Sequence, residues 1–301
     1  MTMADIGATE SRSVKQQLAR ATIRLLKRLM GNDRALEMLK RLIRQLPYRL
    51  AFPVTWVCLE EFPLTSVAID RWRCAYPRQF PQVRVTVNPN CLSGRFFAIS
   101  GYYEDRLTDL IQAPERDGLL VDIGANFGYY PVLWLAKRAT TRTIVAEPVS
   151  EYVQLLQENL KPYQSRFQIF AGCIGDYEGT ALVDTVGDPT MLSKVVTNDP
   201  TGQARQVPML TLAALLAKYG ETTVDVLKVD AEGYDLKILA SCKPLFERHA
   251  IHTVFWETAK SEEQAAMEAY LRQLGYVRIL TGYVTGYDRA PAGLVHEQII
   301  T

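Results

Sequence analysis

The chain has 301 residues, with 34 Lys/Arg against 33 Asp/Glu, 48% hydrophobic and 22% charged residues. With 18 Gly and 15 Pro it is neither collagen, coiled coil nor globally disordered, and a net charge of +1 excludes a surface coated throughout for nucleic acid. The five cysteines, Cys58, Cys74, Cys91, Cys173 and Cys242, form no C-x-x-C pair, so neither a disulfide framework nor a zinc site is expected and a cytoplasmic, reducing setting is the simple reading. Residues 1–10 hold no apolar signal core, and the longest apolar stretch, 51–59, falls well short of a bilayer span.

The first 50 residues carry 11 Lys/Arg and 4 Asp/Glu, a net +7. Ser13 with Gln16 reads as a capping box, and Val14, Leu18, Ala21, Leu25 and Leu29 recur at helical spacing until Gly31 stops the run. Asn32 or Asp33 is expected to cap a second helix whose stripe is Leu36, Leu39, Leu42, Ile43 and Leu46, ended by Pro47. Two readings of this basic helical hairpin stay open. It packs on the main domain or on a second copy, or it offers a basic surface to anionic lipid, a carrier protein or an acidic partner. Residues 1–80 are taken as an N-terminal extension and 81–301 as the main domain.

Between Pro47 and Gly118 prolines punctuate short aromatic runs, and residues 83–87 and 95–100 read as strands. From Leu119 the pattern becomes apolar β runs alternating with helical ones. Strands are expected at 119–123, 143–146, 167–171, 225–229 and 251–256, and helices at 129–137, 150–160, 210–219, 235–245 and 262–274. That alternation predicts an α/β fold, a parallel sheet with helices on both faces. The glycine-rich aromatic tail around 281–289 reads as a lid or a surface hairpin.

Residues 119–128, LLVDIGANFG, run an apolar strand into a glycine turn and a helix. Gly124 and Gly128 let the turn approach a ligand, and the helix start offers unpaired N–H groups. The spacing is G-x-x-x-G, not the G-x-G-x-x-G of nicotinamide dinucleotide sites, and no Lys-Ser/Thr follows as in a phosphate loop. Asp122 would repel pyrophosphate and suits a cationic ligand carrying an ammonium and a sulfonium. Glu147, 23 residues after Gly124 and followed by Pro148, ends the next strand, where an acid can accept both ribose hydroxyls. Together these point to an adenosine-bearing ligand.

The motifs VDIGANxG (121–128), AEP (146–148), LTLxxLL (210–216) and LKVDAEG (227–233) resemble, in order and spacing, the FkbM-type methyltransferases over roughly residues 83–275. The resemblance implies a class I, Rossmann-like, seven-stranded and mostly parallel sheet, S-adenosylmethionine as methyl donor, and most commonly methylation of oxygen on sugars or secondary metabolites. It implies that Asp122, Gly124, Asn126 and Gly128 surround the methionine moiety, that Glu147 and Pro148 lie at the ribose, and that Cys173 and Ile174 lie by the adenine. Tyr129-Tyr130-Pro131 departs from the family, which often has a small or hydroxyl residue there.

Chemistry is expected at the carboxyl end of strand 225–229, where Lys228, Asp230 and Glu232 follow one another. In-line methyl transfer to a hydroxyl needs alignment, exclusion of water and removal of a proton. Asp230 or Glu232 is the expected base and Lys228 its orienting cation, against the alternative that the acids only cap the next helix. Glu104, Tyr130 and Glu257 are candidate acceptor-pocket residues, Tyr130 also fitting a purely buried aromatic. Asp230, Glu232 and Glu257 as ligands of a divalent cation form the lesser alternative. Of the histidines, His249, His252 and His296, none sits in a metal or triad motif, and His252 is placed at the opposite end of the sheet. The expected partners are a small-molecule, glycan or carrier-bound acceptor, and a second copy through the N-terminal helices. Nucleic acid is not expected, and peripheral membrane contact is the minor option. The rival readings are a nicotinamide oxidoreductase, a binding protein that has lost turnover, and a methyltransferase acting on nitrogen or a carboxylate.

Overall fold

The computed structural model describes residues 14–63, 73–113, 115–184, 194–196, 204–258, 261–282 and 284–289. Ser13 of the expected capping box and Tyr283 of the tail lie outside them. The chain forms two compact units, Met1–Asp105 and Arg106–Thr301.

The first unit begins with α1 (Val14–Met30), α2 (Asn32–Ile43) and α3 (Tyr48–Glu61). Gly31, at φ 79°, ends α1 and caps α2 in place of Asn32 or Asp33. The stripe expected to be buried on α1 is the exposed one: Leu18 is 64%, Leu25 56% and Leu29 71% exposed, while Ile23 is buried and Ala19, Leu26 and Met30 pack beside it. The helix is apolar on two faces, which periodicity cannot rank. Ion pairs from Arg20 to Glu60 and Arg24 to Glu61 turn the Ile23 face toward α3. On α2 Leu36, Leu39 and Ile43 are buried as expected, but Leu42 is exposed.

A two-stranded ribbon of β1 (Cys74–Ala75) and β2 (Val85–Thr86) follows, the latter all that forms of the strand expected at 83–87. The strand expected at 95–100 is instead inside helix α4 (Leu92–Ser100). Phe96 and Ile99, three apart, share one helical face and enter the core of α2 and α3, and Gly101 closes the helix in the left-handed conformation. The apolar stretch within it, residues 96–99, is too short to reveal its own period. Because α4 packs here, the first unit extends to Asp105 rather than ending at residue 80.

The second unit opens with α5 (Asp105–Ile111), which straddles its boundary, β3 (Leu119–Ile123), α6 (Tyr129–Lys137), β4 (Arg142–Ala146), α7 (Ser150–Leu160) and β5 (Phe167–Phe170). Then come β6 (Cys173–Ile174), β7 (Gly179–Asp184), β8 (Lys194–Val196), β9 (Arg205–Leu210), α8 (Leu212–Tyr219) and β10 (Val224–Val229). It closes with α9 (Asp235–Ser241), α10 (Lys243–Glu247), β11 (Ile251–Glu257), α11 (Glu262–Gln273), β12 (Tyr276–Leu280) and β13 (Val284–Arg289). The helix expected at 235–245 is thus broken at Cys242.

Seven strands form the main sheet in the order β12-β13-β11-β10-β3-β4-β5. The five from β11 to β5 are mutually parallel and β13 runs antiparallel to both neighbours. β3 is buried along its whole length, as a parallel strand covered on both faces must be. Strand order reverses between β3 and β10, which opens a crevice at their carboxyl ends. The tail is not a lid: β13 pairs antiparallel with the preceding β12, so the expected hairpin forms, but it is built into the sheet, with β13 between β12 and β11 and Gly286 flat against Phe255, where a Cβ would sit 2.6 Å from the ring. A second sheet, β6-β9-β7-β8, was not foreseen.

Candidate active site

Side chains two apart on a strand share a face, and so do register partners on parallel neighbours. Asp122 on β3 is the register partner of Lys228 on β10, and Asp230 follows Lys228 by two. The strand pairing therefore lines up one ammonium between two carboxylates. The Lys228 Nζ lies 3.3 Å from Asp122 Oδ1 and 3.2 Å from Asp230 Oδ2. The first contact is an ion pair without hydrogen-bond geometry, so both Asp122 oxygens are buried with no hydrogen-bond partner among the described residues. Burial pushes the Asp122 carboxyl up to about 6 against the opposing pull of Lys228. Lys228 and Asp122 are buried, whereas the Asp230 side chain is 41% exposed and lies at the rim. The Tyr130 ring, buried on α6 against Tyr129, stands 5.4 Å from the Lys228 Nζ.

The glycine turn is held by the same crevice. Gly124 has φ 75°, and a Cβ there would come within 1.9 Å of the Asp230 carbonyl oxygen, so only glycine lets β3 and β10 end this close together. Asn126 takes a left-handed φ of 51° and directs its N–H at Glu147 Oε2, 2.9 Å away. The other oxygen, Oε1, accepts from the Val149 N–H at 3.0 Å across the half-buried Pro148. Glu147 thus ties the turn after β3 to the loop after β4. Burial pushes its carboxyl up to about 7, with the two N–H groups acting in the opposite direction. Gly128, at φ 87°, caps α6 against Leu156.

The Gly172 N–H donates to the Glu147 carbonyl, which brings the next segment to the same edge. Cys173 and Ile174 both lie on β6, paired with β9: Cys173 enters the small core of the second sheet and Ile174 the main core. Burial, then the Glu147 charge, pushes the Cys173 thiol up to about 12, so it is no nucleophile.

The loop after β10 carries Glu232 at φ 50° and Gly233 at φ 92°, two consecutive left-handed residues. Such backbone persists where its surroundings over-determine it. Asp235 supplies part of that restraint, and the sequence reading took it only as a helix start. Its Oδ2 accepts from the Ala231 N–H at 3.2 Å and its Oδ1 from the Glu257 N–H at 3.3 Å, clamping the ends of β10 and β11 together. Burial, and secondarily Asp230, pushes it up to about 6. Its sequence signal was an acid three residues beyond Glu232 at the first turn of a helix. Asp235→Ala strands both N–H groups and should cost about 1–3 kcal/mol of stability in denaturant unfolding; a loss under a few tenths would remove the clamp.

Glu257 is half-buried at the end of β11, opposite Val284 of β13. Glu104, at φ 44°, belongs to the first unit. Among the described residues no three His, Cys, Asp or Glu side chains are grouped to hold a metal ion, so the cation alternative at Asp230, Glu232 and Glu257 has no formed ligand set. His252 lies 3.7 Å from Asp225 near the amino end of the strands, as expected.

A mostly parallel seven-stranded sheet in this order, with a glycine turn after β3 and an acid after its neighbour β4, is the class I fold of S-adenosylmethionine-dependent methyltransferases. The family model for the methyltransferase FkbM domain matches residues 122–278, just over half of the chain, and the chain belongs to that family. No curated protein matches it. Solved structures similar to it include the METTL16 methyltransferase domain, at 11% identity over 92% of this chain and 93% of that one with a TM-score of 0.43. Human METTL16's N-terminal domain in complex with S-adenosylhomocysteine is 14% identical over 62% of this chain and 68% of that one, TM-score 0.36. A precorrin-6Y C5,15-methyltransferase from Geobacter metallireducens is 10% identical over 60% and 84%, TM-score 0.37. As a member of the FkbM family the chain is a methyltransferase that uses S-adenosylmethionine. The buried carboxylate of Asp122, ion-paired with Lys228 but accepting no hydrogen bond among the described residues, and the acid of Glu147 fit that donor's ammonium and ribose. No helix among the described residues is long and apolar enough to cross a membrane.

Proposed function

We propose that this enzyme methylates a hydroxyl oxygen of a small molecule, a sugar or a carrier-bound metabolite, with Asp230 as the base. The observation that carries this reading is the Lys228–Asp230 pair at 3.2 Å, a partly exposed carboxylate held at the rim by a buried ammonium. S-adenosylmethionine, when bound, supplies a sulfonium methyl group open to in-line displacement. Asp122 would hold the methionine ammonium beside Gly124, Asn126 and Gly128, Glu147 the ribose hydroxyls, and Cys173 and Ile174 the adenine edge. Asp230 receives the hydroxyl proton as the acceptor oxygen attacks. Lys228 fixes the carboxylate's direction, and Tyr130 covers Lys228 from one side, which keeps water from the ammonium. Glu232 and Glu257 stand as further acceptor contacts at the ends of β10 and β11.

The test is incubation of the enzyme and donor with panels of hydroxyl, amine and carboxylate acceptors, with release of S-adenosylhomocysteine and the methylated atom read by mass spectrometry and NMR. Transfer to oxygen of an alcohol or sugar is expected; transfer to nitrogen or carboxylate alone would overturn the assignment.

Glu147→Ala should raise the dissociation constant for S-adenosylhomocysteine about tenfold or more, since a charged hydrogen bond contributes about 1.5–3 kcal/mol. Donor binding also has a pH signature. In the free protein Glu147 titrates near 7 and Asp122 near 6, above their ordinary 4.5 and 3.8, and both must be ionised to accept from the donor. Binding therefore releases protons, and affinity should rise as pH increases from about 5 to 8. The same raised values make these carboxyls favour the free fold most at low pH, a contribution lost as pH rises through 6 to 7. Titration calorimetry in buffers of different ionisation enthalpy measures the release; pH-independent binding would remove both acids from the donor site.

A further inference from the structure

Leu18, Leu25 and Leu29 on α1 are 64%, 56% and 71% exposed, and the helical period gathers them within an arc of about 40°. They form a stripe on the side of α1 opposite the buried Ile23. The stripe is bordered by the exposed Arg28. Helix α1 carries five basic residues, Lys15, Arg20, Arg24, Lys27 and Arg28, and no acid. The inner ones are neutralised within the unit, Arg20 by Glu60 and Arg24 by Glu61, while the Lys27 ammonium donates to the Glu61 carbonyl. Arg28 and, on the following helices, Arg34, Arg41 and Arg49 are exposed with no ion-pair partner among the described residues.

A helix with three adjacent outward leucines, the unneutralised Arg28 beside them and further exposed arginines on the next two helices fits two occupants, a second copy of itself or a bilayer surface. The charge decides between them. In a pairing of α1 with α1, in either direction, Arg28 would find no acid on the opposing helix, and like charges at the seam oppose association. A surface of acidic phospholipid meets both features at once, taking the leucines below the headgroups and pairing the arginines with phosphate. We propose that the outer face of α1 is a docking surface for an anionic lipid bilayer, on which the helix lies in the plane of the interface without crossing it. The rest of the chain carries a net −6, so the attraction is local to the basic N-terminal region.

The test is flotation of the full chain with vesicles of phosphatidylcholine alone or mixed with phosphatidylglycerol, alongside sedimentation velocity without lipid. The expected result is binding to the mixed vesicles at least about tenfold above the neutral ones, weakened by salt. Leu25→Ser with Leu29→Ser should cut that binding about tenfold or more, and Arg28→Glu should cut it about tenfold, with circular dichroism unchanged. Failure of the full chain to float with acidic vesicles would overturn the proposal, as would undiminished binding by the leucine variant. A dimer that the serine substitutions dissolve, in a protein that ignores vesicles, would assign the stripe to a second copy instead.

Discussion

Asp230→Asn is expected to lower kcat by about 10²- to 10⁴-fold while leaving the affinity for S-adenosylhomocysteine within a few fold. The amide keeps the size of the side chain and an oxygen that can still accept from Lys228, so the geometry at the end of β10 is retained. The main-chain links there, from the Asp230 N–H to the Ile123 carbonyl and the close approach to Gly124, do not involve the side chain. What the amide loses is the capacity to take a proton. Single-turnover rates with saturating donor and acceptor measure the chemical step directly. A kcat within about threefold of wild type would remove Asp230 as base, and the same assay on Glu232→Gln would then decide whether the next carboxylate on this loop carries the role.

Much of the second unit is legible in the sequence because its signals are local and agree with one another. β3 is a five-residue run, apolar but for Asp122 and followed by a glycine turn, and α7 begins and ends where its period does. The alignment of Asp122 with Lys228 is not local. Their separation along the chain is large, and only the register of β3 on β10 makes them neighbours. The motifs around each could be seen, but the ion pair between them could not. Asp235 is hidden for a related reason, since one of its two backbone partners, Glu257, lies on another strand. The errors fall where a run is apolar on more than one side. Residues 96–99 have no polar face from which to read a period, and α1 has two apolar stripes of which tertiary ion pairs select one. In the second sheet β6 and β8 are only two and three residues long, and β7 and β9, six residues each, carry Gly179 and Pro208 and alternate weakly, so pattern alone does not separate them from loops.

Lys228→Met should remove activity more completely than any other single change at the site, and should destabilise the protein at the same time. The ammonium serves two carboxylates of different character. Toward Asp230 it is an orienting partner at the rim, so its loss frees the base to rotate. Toward Asp122 it is the only ion-pair partner, among the described residues, of a side chain that is 1% exposed. Removing one member of a buried pair leaves an uncompensated charge, which costs about 3–5 kcal/mol. Asp122 has an escape, because burial already pushes it up to about 6 and without Lys228 it rises further, so it can fold in its neutral form. A raised folded-state value means that the neutral acid favours folding at low pH and opposes it as pH climbs. The stability deficit of Lys228→Met should therefore be small near pH 5 and grow toward pH 8, as followed by denaturant unfolding across that range. Adding Asp122→Asn should restore most of the stability at pH 8 without restoring turnover. A deficit that is flat with pH, or one that Asp122→Asn leaves untouched, would mean that the lysine stabilises the fold through packing of its stem rather than through the charge of Asp122.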